Sequence, residues 1–282
     1  MGLKAKPEPD QFKGQIAVVT GAGSGIGRSM ALLLGKLGAK VHAADLNGAS
    51  AIDTAGKIND AGGEAVAHTL DVTDAAAVAK LAEEVFTEDG RVDILHNNAG
   101  IGHAGPIEET PLEDWQKVLD VNLFGVINGL NAFVPKMIEQ GGSAHVVNTA
   151  SMAGLQASAG MAPYCTSKFG VVGMSIALDA ELKSKGIRVT ALCPGIINTA
   201  IVKESTMRGA IENRHDKLTN FYKKRGASPD VVARDAVTAI LRKQVIKPTP
   251  SWQVSPGWWL MRISPRAYTG LARRSYKSII GG

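Results

Sequence analysis

Two cysteines in 282 residues, Cys165 and Cys193, cannot build a disulfide framework. Neither has the Cys-x-x-Cys or Cys/His spacing of a metal site, so no metal is expected. No apolar run reaches the ~18 residues needed to span a bilayer. Residues 1–13 are polar and proline-bearing and lack the apolar core of a signal peptide, which points to a cytoplasmic protein. Internal repeats and low-complexity segments are missing as well. Acidic residues stop at Asp235, and eight of the 31 lysines and arginines lie beyond it. The net charge of +5 therefore belongs to the tail, and the body is slightly acidic, which counts against a nucleic-acid partner. Aromatic residues make up only 5% of the chain, yet Trp252, Trp258 and Trp259 crowd into that same tail.

What is present is alternation. Short β-branched or apolar runs at 16–20, 40–45, 65–70, 92–96, 144–149 and 187–193 read as buried strands. Helical spacing at 25–38, 51–60, 74–87, 112–138, 163–185 and 229–243 separates them. Strand and helix in alternation predict an α/β fold, a single-domain doubly wound parallel sheet with helices on both faces. At 282 residues the chain is long enough for one such domain and its core. The expected organisation is a polar arm over 1–13, a catalytic domain over 14–254 and a basic amphipathic extension over 255–282. Within the domain, the polar stretch at 196–226 should lie over the strand C-termini.

Tyr164 and Lys168 stand four residues apart on an expected helix and so share one face. A neighbouring ammonium favours a phenolate, which would bring the tyrosine below its usual ~10 and make it an acid/base near neutrality. Ser151 can supply a hydroxyl to a substrate oxygen. Together these groups suit moving a proton on and off an alcohol or ketone while a hydride moves at carbon.

At the other end of the chain, residues 20–27 join a strand to a helix. The spacing Gly-x-Gly-x-x-Gly is absent; Gly21, Gly25 and Gly27 follow Gly-x-x-x-Gly-x-Gly, with Ser24 and Ile26 between. The physics is the same: a tight turn, close backbone approach and free N–H groups at a helix N-terminus for a pyrophosphate. Asp45 ends the second strand, where a carboxylate can accept from ribose hydroxyls and would repel a 2′-phosphate. The next residues are Leu46 and Asn47, not arginine or lysine, and position 24 is serine. All of this favours NAD over NADP.

These residues in this order resemble the short-chain dehydrogenase/reductase family, over roughly residues 14–243. The resemblance rests further on Asn97-Asn98-Ala99-Gly100, Asp71-Val72, Asn122, and the turn containing Pro194, Gly195, Ile197 and Thr199. It implies a Rossmann fold and an NAD-dependent oxidoreductase acting on an alcohol/carbonyl pair, with an NADP-linked reductase as the alternative. It implies Tyr164 as acid/base, Ser151 as holder of the substrate oxygen, Lys168 as phenolate stabiliser and ribose ligand, and Asn122 as support for a proton relay from a locally opened helix. Asp71, Val72, Asn98, Ala99 and Gly100 are implied on the adenine side. Pro194, Gly195, Ile197 and Thr199 are implied around the nicotinamide. Pairing of the two long helices with their copies implies a dimer or tetramer. A non-catalytic dinucleotide-binding protein is the competing reading, and the intact Ser151, Tyr164 and Lys168 argue against it.

His68, His96, His103 and His145 have no paired ligand spacing and read as structural, with a place in the substrate cleft as the alternative for His103, just past Asn97–Gly100. The run 221–225 reads as a solvated helix end. In the extension, Tyr268, Leu271, Ser275 and Ile279 share one face, and Arg266, Arg273 and Lys277 another. Such a basic, aromatic tail resembles those of family members acting on hydrophobic alcohols. It can cover the cleft, pack on a partner subunit or lie on an anionic membrane, and its short, serine-interrupted pattern favours packing.

Overall fold

The computed structural model describes residue 8 and residues 10–280, except for the side chains of 279 and 280. Most of the expected N-terminal arm, and the Ile279 side chain of the expected tail face, therefore lie outside the described residues.

β1 (Ile16–Thr20) shows how this sequence builds a sheet covered on both faces. All five residues are buried. Ile16 and Val18 enter one apolar cluster, and Ala17 and Val19 enter another. That is the period-2 consequence of strand geometry. β2 (Lys40–Asp45), β3 (Glu64–Thr69), β4 (Ile94–Asn97), β6 (Ala144–Thr149), β7 (Ile187–Pro194) and β9 (Ile246–Thr249) complete a seven-stranded sheet, all of whose pairings are parallel. Its order is β3-β2-β1-β4-β6-β7-β9, with the order reversing beside β1. α1 (Gly25–Lys36), α2 (Gly48–Asp60) and α8 (Pro229–Leu241) cover one face, through Met30, Leu34, Ile58, Val232 and Val237. α3 (Ala75–Asp89), α5 (Gly125–Glu139) and α6 (Ala162–Leu182) cover the other, through Leu81, Val85, Leu130, Phe133 and Val171. This is the doubly wound single domain that the alternation predicts.

The expected helix over 112–138 is not uniform. It divides into α4 (Leu112–Leu119), a π-helical turn at Asp120–Phe124, and α5. The whole run Leu112–Glu139 is long and apolar enough to cross a membrane by composition. Here its Val126, Leu130, Phe133 and Met137 pack into the core, so it serves as a core helix. The apolar positions of the two long helices, which the resemblance implies pair with their copies, are mostly turned inward. Val126, Leu130, Phe133, Val171 and Val172 are buried within the chain, because they occupy the faces turned to its own sheet. The exposed apolar side chains on these helices are Leu112, Phe124, Phe169 and Ile176.

Past β7 the chain forms β8 (Thr206–Met207), which pairs with β5 (His103–Ala104), and then α7 (His215–Arg225). β9 is the proline-containing edge strand; Pro248 is tolerated because nothing in the described sheet pairs beyond it. The extension then folds as two helices, α9 (Ser251–Ile263) and α10 (Pro265–Ile280). α9 starts before residue 255, so the expected boundary falls inside a helix.

Candidate active site

A cleft of about 1280 Å³ runs along the C-terminal ends of the strands. That exceeds the ~300–1,000 Å³ typical of a single drug-sized ligand and suits a dinucleotide together with a substrate. It begins where β1 turns into α1. Gly21 has φ +64°, and a Cβ there would come 2.9 Å from the Ala99 Cα. A Cβ on Gly27 would collide with the Gly21 carbonyl and the Asn98 amide. Ser24 occupies the N-cap of α1 without a side-chain cap bond, and the first turn carries no acid. The N–H groups there remain available to an anion, as a pyrophosphate requires. This glycine cradle and uncapped helix end fit a dinucleotide.

The Asp45 carboxylate accepts from the Gly23 N–H (2.8 Å) and the Asn47 N–H (2.9 Å). It does not cap α2, since Asn47 does so through Ser50. Asp45, Leu46, Asp71 and Val72 line the same end of the cleft. Asp71 uses one oxygen to hold the Thr73 N–H and hydroxyl. The Asn98 side chain points beneath the glycine turn: its amide donates to the Thr20 carbonyl (3.0 Å) and its oxygen accepts from Thr149 (3.2 Å). Asn98 thus props the turn, while Ala99 and Gly100 lie beside it on the cleft wall.

The chemistry-bearing groups come from β6, α6 and the π turn. Ser151 follows β6 and accepts from the Ala153 N–H (3.1 Å). Tyr164 and Lys168 project from one face of α6, with the Lys168 Nζ 5.8 Å from the centre of the Tyr164 ring. Lys168 donates to the Thr149 carbonyl (2.9 Å). Both side chains are buried, and burial governs their proton affinities. It pushes Tyr164 up to about 12, partly offset by a hydrogen bond with Ser151. It pulls Lys168 down to about 8. The expected lowering of the tyrosine by the lysine is therefore overturned: the cost of desolvating each charge is larger, and the ammonium is turned toward a carbonyl.

Asn122 does not line the cleft. It sits wholly buried in the π turn, where its side chain accepts from the Ile101 N–H (2.8 Å) and donates to the Ile101 carbonyl (2.9 Å) and to Ser167 (3.3 Å). The π turn is the local helix opening that the resemblance implies. Pro194, Gly195, Ile197 and Thr199 form the wall opposite, and Thr199 lies against Gly25 at the head of α1. Gly27 and Asn122 are thus the two expected site residues outside the lining; one packs beneath it and the other behind it.

The substrate end holds residues that sequence reading missed. Ile201, Val202, Met207, Leu218 and Tyr222 form an apolar wall. Tyr222 belongs to the run expected to be solvated, yet it is half-buried in this wall, and burial raises its pKa. His103, for which the sequence offers a place in the substrate cleft as the alternative to a structural role, lines the cleft. Its Nε2 lies 3.2 Å from Asp114, which also takes a two-pronged bond from Arg208, and its Nδ1 has no hydrogen-bond partner among the described residues. His96 and His145 are structural as expected, bonded to Thr149 and Thr190. Among the described residues no cluster could hold a metal ion. α10 closes the cleft. Tyr268 donates to the Ala157 carbonyl (2.7 Å), and Tyr276 packs on Gly160 and Ile211. Of the open alternatives for the tail, its inner face thus covers the cleft. α9 also reaches the site: the Gln253 side chain accepts from the Ile196 N–H (2.9 Å) in the turn after β7.

The sequence profile described as short chain dehydrogenase matches residues 15–208. "Probable oxidoreductase EphD" of Mycobacterium tuberculosis (strain ATCC 25618 / H37Rv) is 39% identical over 268 residues, 93% of this chain and 45% of that protein. The chain thus spans under half the length of that relative. A short chain dehydrogenase/reductase from Burkholderia phymatum in complex with NAD superposes with a TM-score of 0.81 at 31% identity, covering 87% of this chain and 92% of the other. A putative NAD(P) dependent gluconate 5-dehydrogenase from Beutenbergia cavernae with bound NADP (low occupancy) gives 0.75 at 34% identity, covering 87% and 99%.

Proposed function

The chain belongs to the short chain dehydrogenase family, and from that premise we propose that it interconverts a hydrophobic secondary alcohol and its ketone, using NAD, with Tyr164 as acid/base. The observation that carries this reading is the meeting of Ser151, Tyr164 and Lys168 in the same cleft as the glycine turn and Asp45. When bound, the nicotinamide supplies or accepts the hydride. The Ser151 hydroxyl donates to the substrate oxygen and holds it against Tyr164. Tyr164, neutral at pH 7, gives its proton to that oxygen in reduction and recovers it in oxidation. Lys168 stabilises the phenolate as it forms. Asn122 holds the Ile101 backbone, and so the loop after β4, against α6. The apolar wall supports a hydrophobic substrate.

NAD is the favoured cofactor because a carboxylate at the end of the second strand, as Asp45 is, would repel a 2′-phosphate, and Leu46 offers that phosphate no cation. We further propose that the chain works as a homo-oligomer, a dimer or tetramer. The exposed Leu112, Phe124, Phe169 and Ile176 on the α4–α5 and α6 helices support a twofold contact there. The test of the activity is an oxidation screen with NAD over secondary alcohols graded from short aliphatic to polycyclic. The expected result is turnover that rises with apolar size, and that falls by ~10²-fold or more in Tyr164→Phe with cofactor binding intact. Turnover of none of them, or near-normal rates in Tyr164→Phe, overturns the reading.

A further inference from the structure

The two C-terminal helices present an outer surface that neither the fold nor the cleft uses. On α9, Val254, Gly257 and Trp258 turn inward: Val254 is buried, Gly257 lies against Gln156, and Trp258 packs on the core. Trp252, Trp259 and Ile263 fall on the opposite side, seven and four residues apart, and are 72%, 57% and 79% exposed. On α10 the inner face carries Tyr268, Ala272 and Tyr276 against the cleft. The outer face carries Arg266, Arg273, Arg274 and Lys277, all exposed. Arg262 lies over the Trp258 ring at the α9 end. None of these five bases forms an ion pair among the described residues, and the chain has no acid after Asp235.

We propose that the outer surface of α9 and α10 docks this protein on an anionic lipid surface. Large apolar side chains seldom stand exposed in a contiguous stripe, so Trp252, Trp259 and Ile263 call for a cover. The bases beside them select what that cover is. A twofold contact with a second copy would bring five unpaired positive charges toward the same five charges, with no acid to offset them. An anionic bilayer offers the opposite sign. Its interfacial zone also accommodates indole rings and the long stems of arginine and lysine. Because the inner face of α10 walls the cleft, the docked surface lies on the back of the substrate site. Apolar alcohols concentrate in a bilayer, so this arrangement brings the cleft close to their source. The docking stands independently of the proposed activity, since it needs no turnover to be observed.

The experiment is co-sedimentation of the whole chain with vesicles of phosphatidylcholine alone, and with vesicles containing phosphatidylglycerol as about a third of the lipid, at low and at high salt. The expected result is binding only to the anionic vesicles, lost at high salt. The triple variant Arg266→Glu/Arg273→Glu/Lys277→Glu should weaken binding by at least roughly tenfold. The triple variant Trp252→Ser/Trp259→Ser/Ile263→Ser should weaken it at low salt, where the wild type binds. NADH fluorescence and melting temperature serve as controls that both variants fold. Failure of the wild type to sediment with anionic vesicles at low salt overturns the proposal, as does unchanged binding by the charge-reversed variant. A fall in oligomer mass of the serine variant by light scattering also overturns it, because the stripe would then be a contact between copies.

Discussion

Tyr164 and Lys168 illustrate how burial, rather than proximity, sets the proton affinities of a pair. Each is shifted toward its neutral form, one up to about 12 and the other down to about 8. A lysine with a lowered pKa is charged below about pH 8 and neutral above it. Its positive charge, which a developing phenolate needs, is therefore fully present only on the acid side of that value. Direct titration of Lys168 should show a midpoint well below the usual ~10.4 in the free protein. A midpoint at or above that value would contradict the burial argument. Lys168→Ala should reduce both turnover and cofactor affinity, where Tyr164→Phe reduces turnover alone. Asp45 sets cofactor choice in a similar local way. Asp45→Ala with Leu46→Arg removes a repulsive carboxylate and adds a phosphate partner. The ratio of kcat/KM for NADP over NAD should rise by at least ~10²-fold. A wild type that already prefers NADPH would refute the assignment.

At the scale of elements, two local distortions make the site. The first is the glycine turn between β1 and α1, where the helix can approach the strand only because Gly27 lacks a Cβ. Gly27→Ala would drive a methyl group into the Gly21 carbonyl. The expected outcome is a loss of ~1–3 kcal/mol in stability together with weakened NADH binding. Unfolding curves and fluorescence titration check this, and unchanged values in both would show that the turn gives way freely. The second is the π turn at Asp120–Phe124, which directs Asn122 onto both polar groups of Ile101. Asn122→Ala leaves the part-buried Ile101 N–H and carbonyl without these partners, a cost of ~1–3 kcal/mol. Asn122→Leu, similar in volume, should be no better, since it restores neither bond.

For the whole molecule, α10 is one wall of the cleft, and its removal has a defined consequence. A chain ending at Ser264 should bind small alcohols nearly as before and large apolar ones with KM raised by about tenfold, with little change in melting temperature. Equal KM values for large alcohols in both forms would show that α10 does not touch substrate. Stability against acid is also a property of the whole sheet. His96 and His145 are buried and neutral, held at about 3 and about 4 mainly by desolvation. Unfolded, each would take up a proton near 6.5. The unfolded chain therefore binds more protons as pH falls below 6.5. Stability should be full above that value and decline at up to about 1.4 kcal/mol per pH unit per histidine toward pH 4. Urea unfolding between pH 7 and 4.5 measures the slope, and a flat profile would refute it.

By itself the sequence determined whatever depends on short-range order. Period-2 and helical spacing determined the alternation of strand and helix. The missing side chains at Gly21, Gly25 and Gly27 determined the anion cradle. The four-residue interval determined that Tyr164 and Lys168 share a face. Ser151, Asp45 and the turn after β7 were legible because strand C-termini in a parallel sheet all point to one edge. Tertiary structure decided what depends on which surfaces meet. It showed that desolvation outweighs the Tyr164–Lys168 attraction, because burial is a sum over the whole surroundings. It placed Tyr222 and His103 in the cleft, through a β5–β8 pairing between segments a hundred residues apart. α9 was obscured in the sequence by Pro250, Pro256 and apolar residues on both its faces, which erase the single-stripe pattern that marks an amphipathic helix. Only the fold separates Trp258, packed on the core, from Trp252 and Trp259, left on the outside. The reason is geometric: a helix has two sides, and which one is inner depends on where the sheet and the cleft already lie.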